Sequence, residues 1–293
     1  MLSAMAEPLR VDLTGKTCLV TGASAGIGLA TARGLARMGA RVVMAVRNPR
    51  KGERARHTVM RATDREVELA LVDLASRAST RAFVRELTAR HAKLDVLVNN
   101  AGIWTARRRL SPDGIELVWA TNVLGYFRVT ALVLPLLEAA GKARVVNVAS
   151  QLAGGLDLSD VQFERRQWSD RAAYAQSKQA DRMLTWALAR RLSGSGITAN
   201  AMHPGFVATE IFGKRGGLVG LGSSLHAKLH GRRPEEGADT VVWLAASPDL
   251  EGRSGLYWID RQERRCPFRD DPGEEALWAL CADMAGLPEA RRP

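Results

Sequence analysis

The chain has little with which to build a metal centre, a disulfide framework or a membrane span. Its 293 residues include three cysteines and five histidines. Cys18, Cys266 and Cys281 show no metal-like or redox pair spacing, and Cys18 and Cys281 sit in apolar patterns that read as core. The histidines are scattered and give no zinc signature, so no metal is expected. A reduced, cytoplasmic setting fits this cysteine usage. No run of 18 or more apolar residues occurs. The richest stretch, Val129 to Leu137, is interrupted by Pro135 and followed by Glu138, so no transmembrane helix is expected. The opening MLSAMAEPLR lacks an apolar core, and no secretion signal is expected. Acidic residues are also in short supply: 31 Asp and Glu face 42 Lys and Arg, a net charge of +11. Such a balance suits nucleic acid or anionic lipid. Yet the clusters Arg107–Arg109 and Arg232-Arg233 adjoin no recognisable nucleic-acid module. Nucleic acid is not expected as a partner, and only weak peripheral attraction to a membrane is retained.

What is present begins with a glycine-rich run, VTGASAGIG at 20–28, after the apolar stretch Cys18 to Val20. That stretch reads as a buried strand and Leu29 to Met38 as a helix. The glycines therefore fall in a strand–turn–helix corner. Gly22 suits the positive φ of a tight turn. Gly26 and Gly28 remove Cβ atoms where a pyrophosphate approaches and where helix packs on strand. Unpaired N–H groups at the helix start favour phosphate. The next strand, Arg41 to Val46, ends at Arg47, with Arg50, Lys51 and Arg54 beyond and no acid before Glu53. A carboxylate there would favour NAD, whereas a guanidinium suits a 2′-phosphate, so NADP(H) is favoured. Val67 to Val72 runs into Asp73-Leu74, and Leu94 to Val98 runs into NNAG at 99–102, where small and amide side chains leave room for a flat ring. Helical stretches such as Ser79 to His91 separate these strands. The alternation argues for an α/β fold with a doubly wound parallel sheet and helices on both faces.

Tyr174 precedes Lys178 by four residues, one helical turn, so their head groups share a face. A phenol normally titrates near pH ~10. An ammonium at ~4 Å would favour its ionised form by roughly 4 kcal/mol, on the order of three pKa units. That would bring the phenol near working pH, where general acid–base catalysis is most effective.

Together the residues resemble the short-chain dehydrogenase/reductase family. The matches are TGASAGIG (21–28), Asp73, NNAG (99–102), Asn122 within TNVLG, Ser150 closing RVVNVAS, YAQSK (174–178) and HPGFVAT (203–209). They run in the family's order over about residues 14–260. The retinol-dehydrogenase-like branch is the nearest in kind, on AVRN after the second strand, SPDGIE (111–116) and the spacing of 24 from Ser150 to Tyr174. Most members hold that spacing at about a dozen. The tail, from GLYWID (255–260) to ALWALC (276–281), also looks like that branch.

The resemblance implies a single Rossmann domain over 11–286 and an NADP(H)-dependent exchange of a ketone or aldehyde with its alcohol. It implies Tyr174 as general acid and base, and Lys178 as the group that lowers its pKa and holds the nicotinamide ribose. It implies Ser150 as the hydrogen-bond donor to the substrate oxygen, and Asn122 as the holder of a relay water. Cofactor contacts are implied at Gly22, Ser24, Gly26, Ile27, Gly28, Arg47, Asp73, Leu74, Asn100, Ala101 and Gly102. They continue at Tyr174, Lys178, Pro204, Gly205, Val207 and Thr209. Residues 209–234 resemble a lid. Homo-oligomerisation is implied through helices around Gly114–Leu137 and Ala172–Leu192. Ala149 stands where the family commonly has a second serine, and the branch's usual N-terminal anchor is not expected here. Trp104, Leu152, Phe206 and Phe212 neighbour these motifs and are expected to line an apolar pocket, so the expected substrate is a lipophilic carbonyl or alcohol. The ends, 1–10 and 287–293, are expected to be loose. A cofactor-binding regulatory protein without turnover is the alternative. Such proteins typically lose the tyrosine or the lysine, and this chain keeps both.

Overall fold

The computed structural model describes residues 9–207, 231–287 and 290. Its first strand, β1 (Thr17–Thr21), is buried at every position. A strand covered on both faces has no solvent side to alternate towards, which explains the unbroken apolar run. β2 (Arg41–Val46), β3 (Glu68–Leu71), β4 (Val96–Asn99), β5 (Ala143–Val148), β6 (Ile197–His203) and β7 (Tyr257–Ile259) extend the sheet. β8 (Gln262–Arg264) closes it in the order β3-β2-β1-β4-β5-β6-β7-β8. All neighbours are parallel except β7 and β8. That last pair is a hairpin turned at Asp260 and Arg261, whose φ values of 52° and 57° suit a two-residue turn between twisted strands. The strand order reverses beside β1, and ligands on such sheets sit at that switch point.

Helices α1 (Gly26–Arg37) and α2 (Pro49–Thr63) cover one face with α6 (Pro234–Ala246). The other face carries α3 (Arg77–Arg90), α4 (Gly125–Ala139), α5 (Asp170–Arg191) and α7 (Asp271–Ala285). α1 starts at Gly26 rather than at Leu29, so the last glycines of the motif already belong to the helix. A π-helical turn at Trp119–Leu124 leads into α4. The stretch Trp119–Ala139 is long and apolar enough to cross a membrane, but 78% of its most apolar window is buried inside the fold. Its apolarity is accounted for by the core. Cys18 and Cys281 are fully buried, as their apolar context suggests.

Two features depart from expectation. α7 packs on α5 and α4: Arg190 Nη1 meets Asp271 at 3.1 Å, and the Arg191 guanidinium lies 4.3 Å from the Trp278 ring centre. Part of the helix face expected to meet a second copy is therefore covered by the chain itself. Leu287, placed in the loose tail by sequence, is 3% exposed, and its N–H donates to the Ala282 carbonyl. Its apolar side chain finishes the core beside α7.

Candidate active site

A cleft of about 490 Å³ opens at the carboxyl ends of β1, β2, β4, β5 and β6. The glycine turn forms its floor. Gly22 has φ +67°, and a Cβ there would lie 2.7 Å from the Ala101 Cα. Only glycine fits both demands. A Cβ on Gly28 would strike the Asn100 side chain and the Gly22 carbonyl. Asn100 in turn donates through Nδ2 to the Thr21 carbonyl at 2.9 Å, so NNAG and the glycine turn brace one another.

The start of α1 fits a phosphate. Its N-cap is Ala25, which has no side-chain acceptor, and its first turn has no acid. By contrast, Asn48, Ser76 and Ser169 cap α2, α3 and α5 through their own side chains. The first N–H groups of α1 and its positive dipole end thus remain available to an anion. Arg47 is exposed at the end of β2 and lines the same cleft, with Asn48, Pro49 and Lys51. Asp73, whose Oδ1 accepts from the Ala75 N–H at 3.0 Å, and Leu74 line it from the β3 side.

The structure brings every cofactor position named from sequence to this cleft except Thr209, which lies outside the described residues, as does Phe212. Most of the expected lid, 209–234, lies outside them too. Ser150, Tyr174 and Lys178 line the other end of the cleft. Asn122 sits behind them, fully buried. Its Nδ2 donates to the Ile103 carbonyl and to Ser177 Oγ, both at 3.1 Å, and its Oδ1 accepts from the Ile103 N–H at 2.9 Å. Its amide thus ties the π-turn to the segment after β4, and both of its N–H donors are taken.

Of the expected pocket walls, Trp104 is against Tyr174: the rings stack with centroids 4.3 Å apart and planes 18° apart. Trp104 Nε1 donates to Asp170 Oδ2 at 3.0 Å, which fixes the indole and so one face of the phenol ring. Leu152 is half-buried just beyond Ser150. Phe206 is 42% exposed, and none of these three expected pocket walls lines the cleft.

Lys178 Nζ makes its hydrogen bonds elsewhere than at the Tyr174 hydroxyl. Its Nζ donates to the Val148 carbonyl at 3.0 Å and to Asp181 Oδ2 at 2.8 Å, one turn along α5. The Tyr126 and Tyr174 ring centres lie 5.1 and 5.9 Å away. Burial works hardest against the ammonium, but the Asp181 carboxylate together with the Tyr126 and Tyr174 phenols outweighs it and holds the amine above its ordinary range. Burial pushes the Asp181 carboxyl up to about 6, with Lys178 and Arg182 pulling the other way. A polar chain runs under the pair. Asn99 Nδ2 donates to Asn147 Oδ1, Asn147 Nδ2 to Thr185 Oγ1, each at 2.8 Å, and Thr185 Oγ1 donates to the Asp181 carbonyl at 2.6 Å. Asp181 escapes the sequence reading, although its position three residues after Lys178 puts it on the same face.

The long approach from Ser150 to Tyr174 is compact. Asp160 accepts from the N–H groups of Glu164 and Arg166 at 2.7 and 2.8 Å. Arg166 Nη2 then reaches Gln176 Oε1 on α5 at 2.9 Å.

The chain is similar to known proteins in both sequence and fold. The family model for short chain dehydrogenase matches residues 16–217. Retinol dehydrogenase 13 of Homo sapiens is 36% identical over 96% of this chain and 87% of its own length. Polyprenol dehydrogenase of Mus musculus is 40% identical over 95% of this chain and 86% of its own. The crystal structure of an uncharacterized protein from Mycobacterium Paratuberculosis superposes with a TM-score of 0.76 at 33% identity, covering 94% of this chain and 96% of that one. The chain belongs to the short-chain dehydrogenase family. Within it, the chain falls on the retinol-dehydrogenase-like branch and is an oxidoreductase.

Proposed function

We propose that this chain is an NADP(H)-dependent oxidoreductase that interconverts a lipophilic ketone or aldehyde and the corresponding alcohol. The observation that carries the reading is the single cleft that joins an uncapped helix start, Arg47 and the Ser150–Tyr174–Lys178 group. The cofactor when bound supplies or accepts hydride. The α1 N–H groups would hold its pyrophosphate, and Arg47 its 2′-phosphate. Asp73 and Leu74 would border the adenine, and Asn100 to Gly102 with Pro204, Gly205 and Val207 would border the remainder.

The protein's own part is proton handling and orientation. Ser150 Oγ accepts from the Leu152 N–H at 3.2 Å, which leaves its O–H to donate to the substrate oxygen. Tyr174, fixed in the plane by Trp104, gives a proton to that oxygen in reduction and takes it in oxidation. Lys178 supplies positive charge near the phenol oxygen and a donor to the ribose. Asn122 holds Ile103 and the π-turn at the nicotinamide end. The names of the retinol and polyprenol dehydrogenases among the relatives support an apolar substrate, as does Trp104 beside Tyr174. The test is purified protein with NADPH and a panel of lipophilic carbonyls, followed by loss of reduced-nicotinamide absorbance. Turnover that disappears in Tyr174→Phe supports the reading. Full turnover in that variant overturns the role of Tyr174, and preference for NADH overturns the cofactor.

A further inference from the structure

The peptide unit that follows Ser150 is held at both of its polar atoms by side chains. Its carbonyl accepts from Nη2 of Arg182. Its N–H, that of Gln151, donates to Nδ1 of His203 at 3.1 Å. The two side chains come from different elements, the middle of α5 and the end of β6. Arg182 lies one turn beyond Lys178 and two beyond Tyr174, on the face that looks at the site.

Arg182 is 4% exposed. Among the described residues it has no carboxylate within ion-pair reach. Its other contacts are the Tyr257 hydroxyl at 2.7 Å, Cys266 Sγ at 3.5 Å, and the rings of Tyr257 and Phe268, whose centres lie 4.1 and 5.4 Å from its guanidinium carbon. A buried guanidinium costs stability unless its surroundings satisfy it. Here the return is geometric: a planar fork with one prong on the Ser150 carbonyl and its body clamped by two rings from β7 and the segment after β8.

We infer that Arg182, with His203, is the positioning device of Ser150: it fixes the Ser150–Gln151 peptide and so aims the serine hydroxyl at the substrate oxygen. The inference rests on the reading of Ser150 given above. His203 must accept, so its Nδ1 must stay unprotonated. Burial first, then the cations of Arg182 and Arg232, lower its pKa to about 4, with only the Asp260 carboxylate acting against them. The acceptor therefore persists through neutral pH. The arrangement also couples the segment around Tyr257 and Phe268 to the chemistry, although neither residue lines the cleft.

The test is a double-mutant cycle between Arg182→Leu and Ser150→Ala, reading kcat for carbonyl reduction and the Kd of NADPH in the purified protein. Arg182→Leu is expected to lower kcat about tenfold to a hundredfold, as misplacement of a positioned group does, and to leave NADPH affinity within about twofold. Arg182→Lys should recover part of the loss, because an ammonium can still reach the Ser150 carbonyl. In the Ser150→Ala background, Arg182→Leu should cost less than about twofold more. An unchanged kcat in Arg182→Leu, or an equal loss in both backgrounds, overturns the inference. Should that variant not fold, Tyr257→Phe removes one holder of the guanidinium: a loss of about threefold confined to the Ser150 background supports the coupling, and an equal loss in both overturns it. Full activity in Ser150→Ala would instead overturn the reading on which the inference stands.

Discussion

The two halves of the cleft are built from different materials. The half from β1 to β4, proposed to hold the nucleotide, offers mostly backbone: a glycine turn, an uncapped helix start and strand ends whose side chains are small. The half on β5, β6 and α5, proposed to handle protons, buries charge. Lys178, Asp181 and Arg182 are each at most 4% exposed, and their partners come from Val148, Ser150, Tyr257 and Cys266. The contrast teaches where tolerance lies. Backbone recognition fails when a Cβ intrudes. Buried charge fails when a single partner is removed, because the other ion is then stranded in the interior.

Four tests probe that contrast. The largest effect is expected from Tyr174→Phe, which should lower turnover by about 10²–10⁴-fold, the usual contribution of a general acid or base. NADPH binding, read by fluorescence, should stay within a few-fold. A parallel collapse of both would erase the distinction between the halves.

Next is a pH effect on stability. His203 titrates near 6.5 when unfolded and is lowered to about 4 in the fold, chiefly by burial. The native state therefore binds fewer protons over that window. The linked stability is whole above pH 6.5 and is lost as pH falls through 4, a change on the order of 3 kcal/mol. Asp181 has the opposite sign: raised from 3.8 to about 6 by burial, it contributes stability that is lost as pH rises through 6. Thermal unfolding of His203→Gln and Asp181→Asn across pH 4–7 separates the two. The first variant should lose less stability than wild type on acidification, and the second should lose more.

Gly22→Ala comes third. At φ +67° with Ala101 Cα 2.7 Å from the added methyl, a destabilisation of about 1–3 kcal/mol is expected in chemical unfolding. Weakened NADPH binding should accompany it. The smallest effect is Arg47→Asp, an exposed change that should leave unfolding within about ±0.5 kcal/mol. It should shift the NADPH-to-NADH preference in kcat/KM by about tenfold or more. An unchanged preference would show that another group reads the 2′-phosphate.

Much of the fold was legible. β2 was read at Arg41–Val46, where it lies, and the other parallel strands of the first half fell within two residues. Buried parallel strands are apolar on both faces, so they stand out from amphipathic helices. The hairpin of β7 and β8 was not read. Its strands are short and one is fully exposed, which leaves no apolar pattern to detect. The coverage of α4 and α5 by α7 was likewise hidden, because an apolar helix face does not say what it packs on.

At the site, sequence alone determined the inventory and the cleft: the glycine turn, NNAG and Ser150 meet because strand ends of a parallel sheet converge at one edge, and the four-residue spacing puts Tyr174 and Lys178 on one face of α5. Tertiary structure decided where the charges go. Helical spacing puts both Tyr174 and Asp181 within reach of Lys178, and its hydrogen bonds go to the buried Asp181 carboxylate and the Val148 carbonyl. It likewise decided that Arg182, anonymous in the sequence, should grip the Ser150 peptide. The physical reason is range: motif spacing is a local property, whereas the partner of a buried charge is whichever acceptor the fold brings within hydrogen-bond distance from far along the chain.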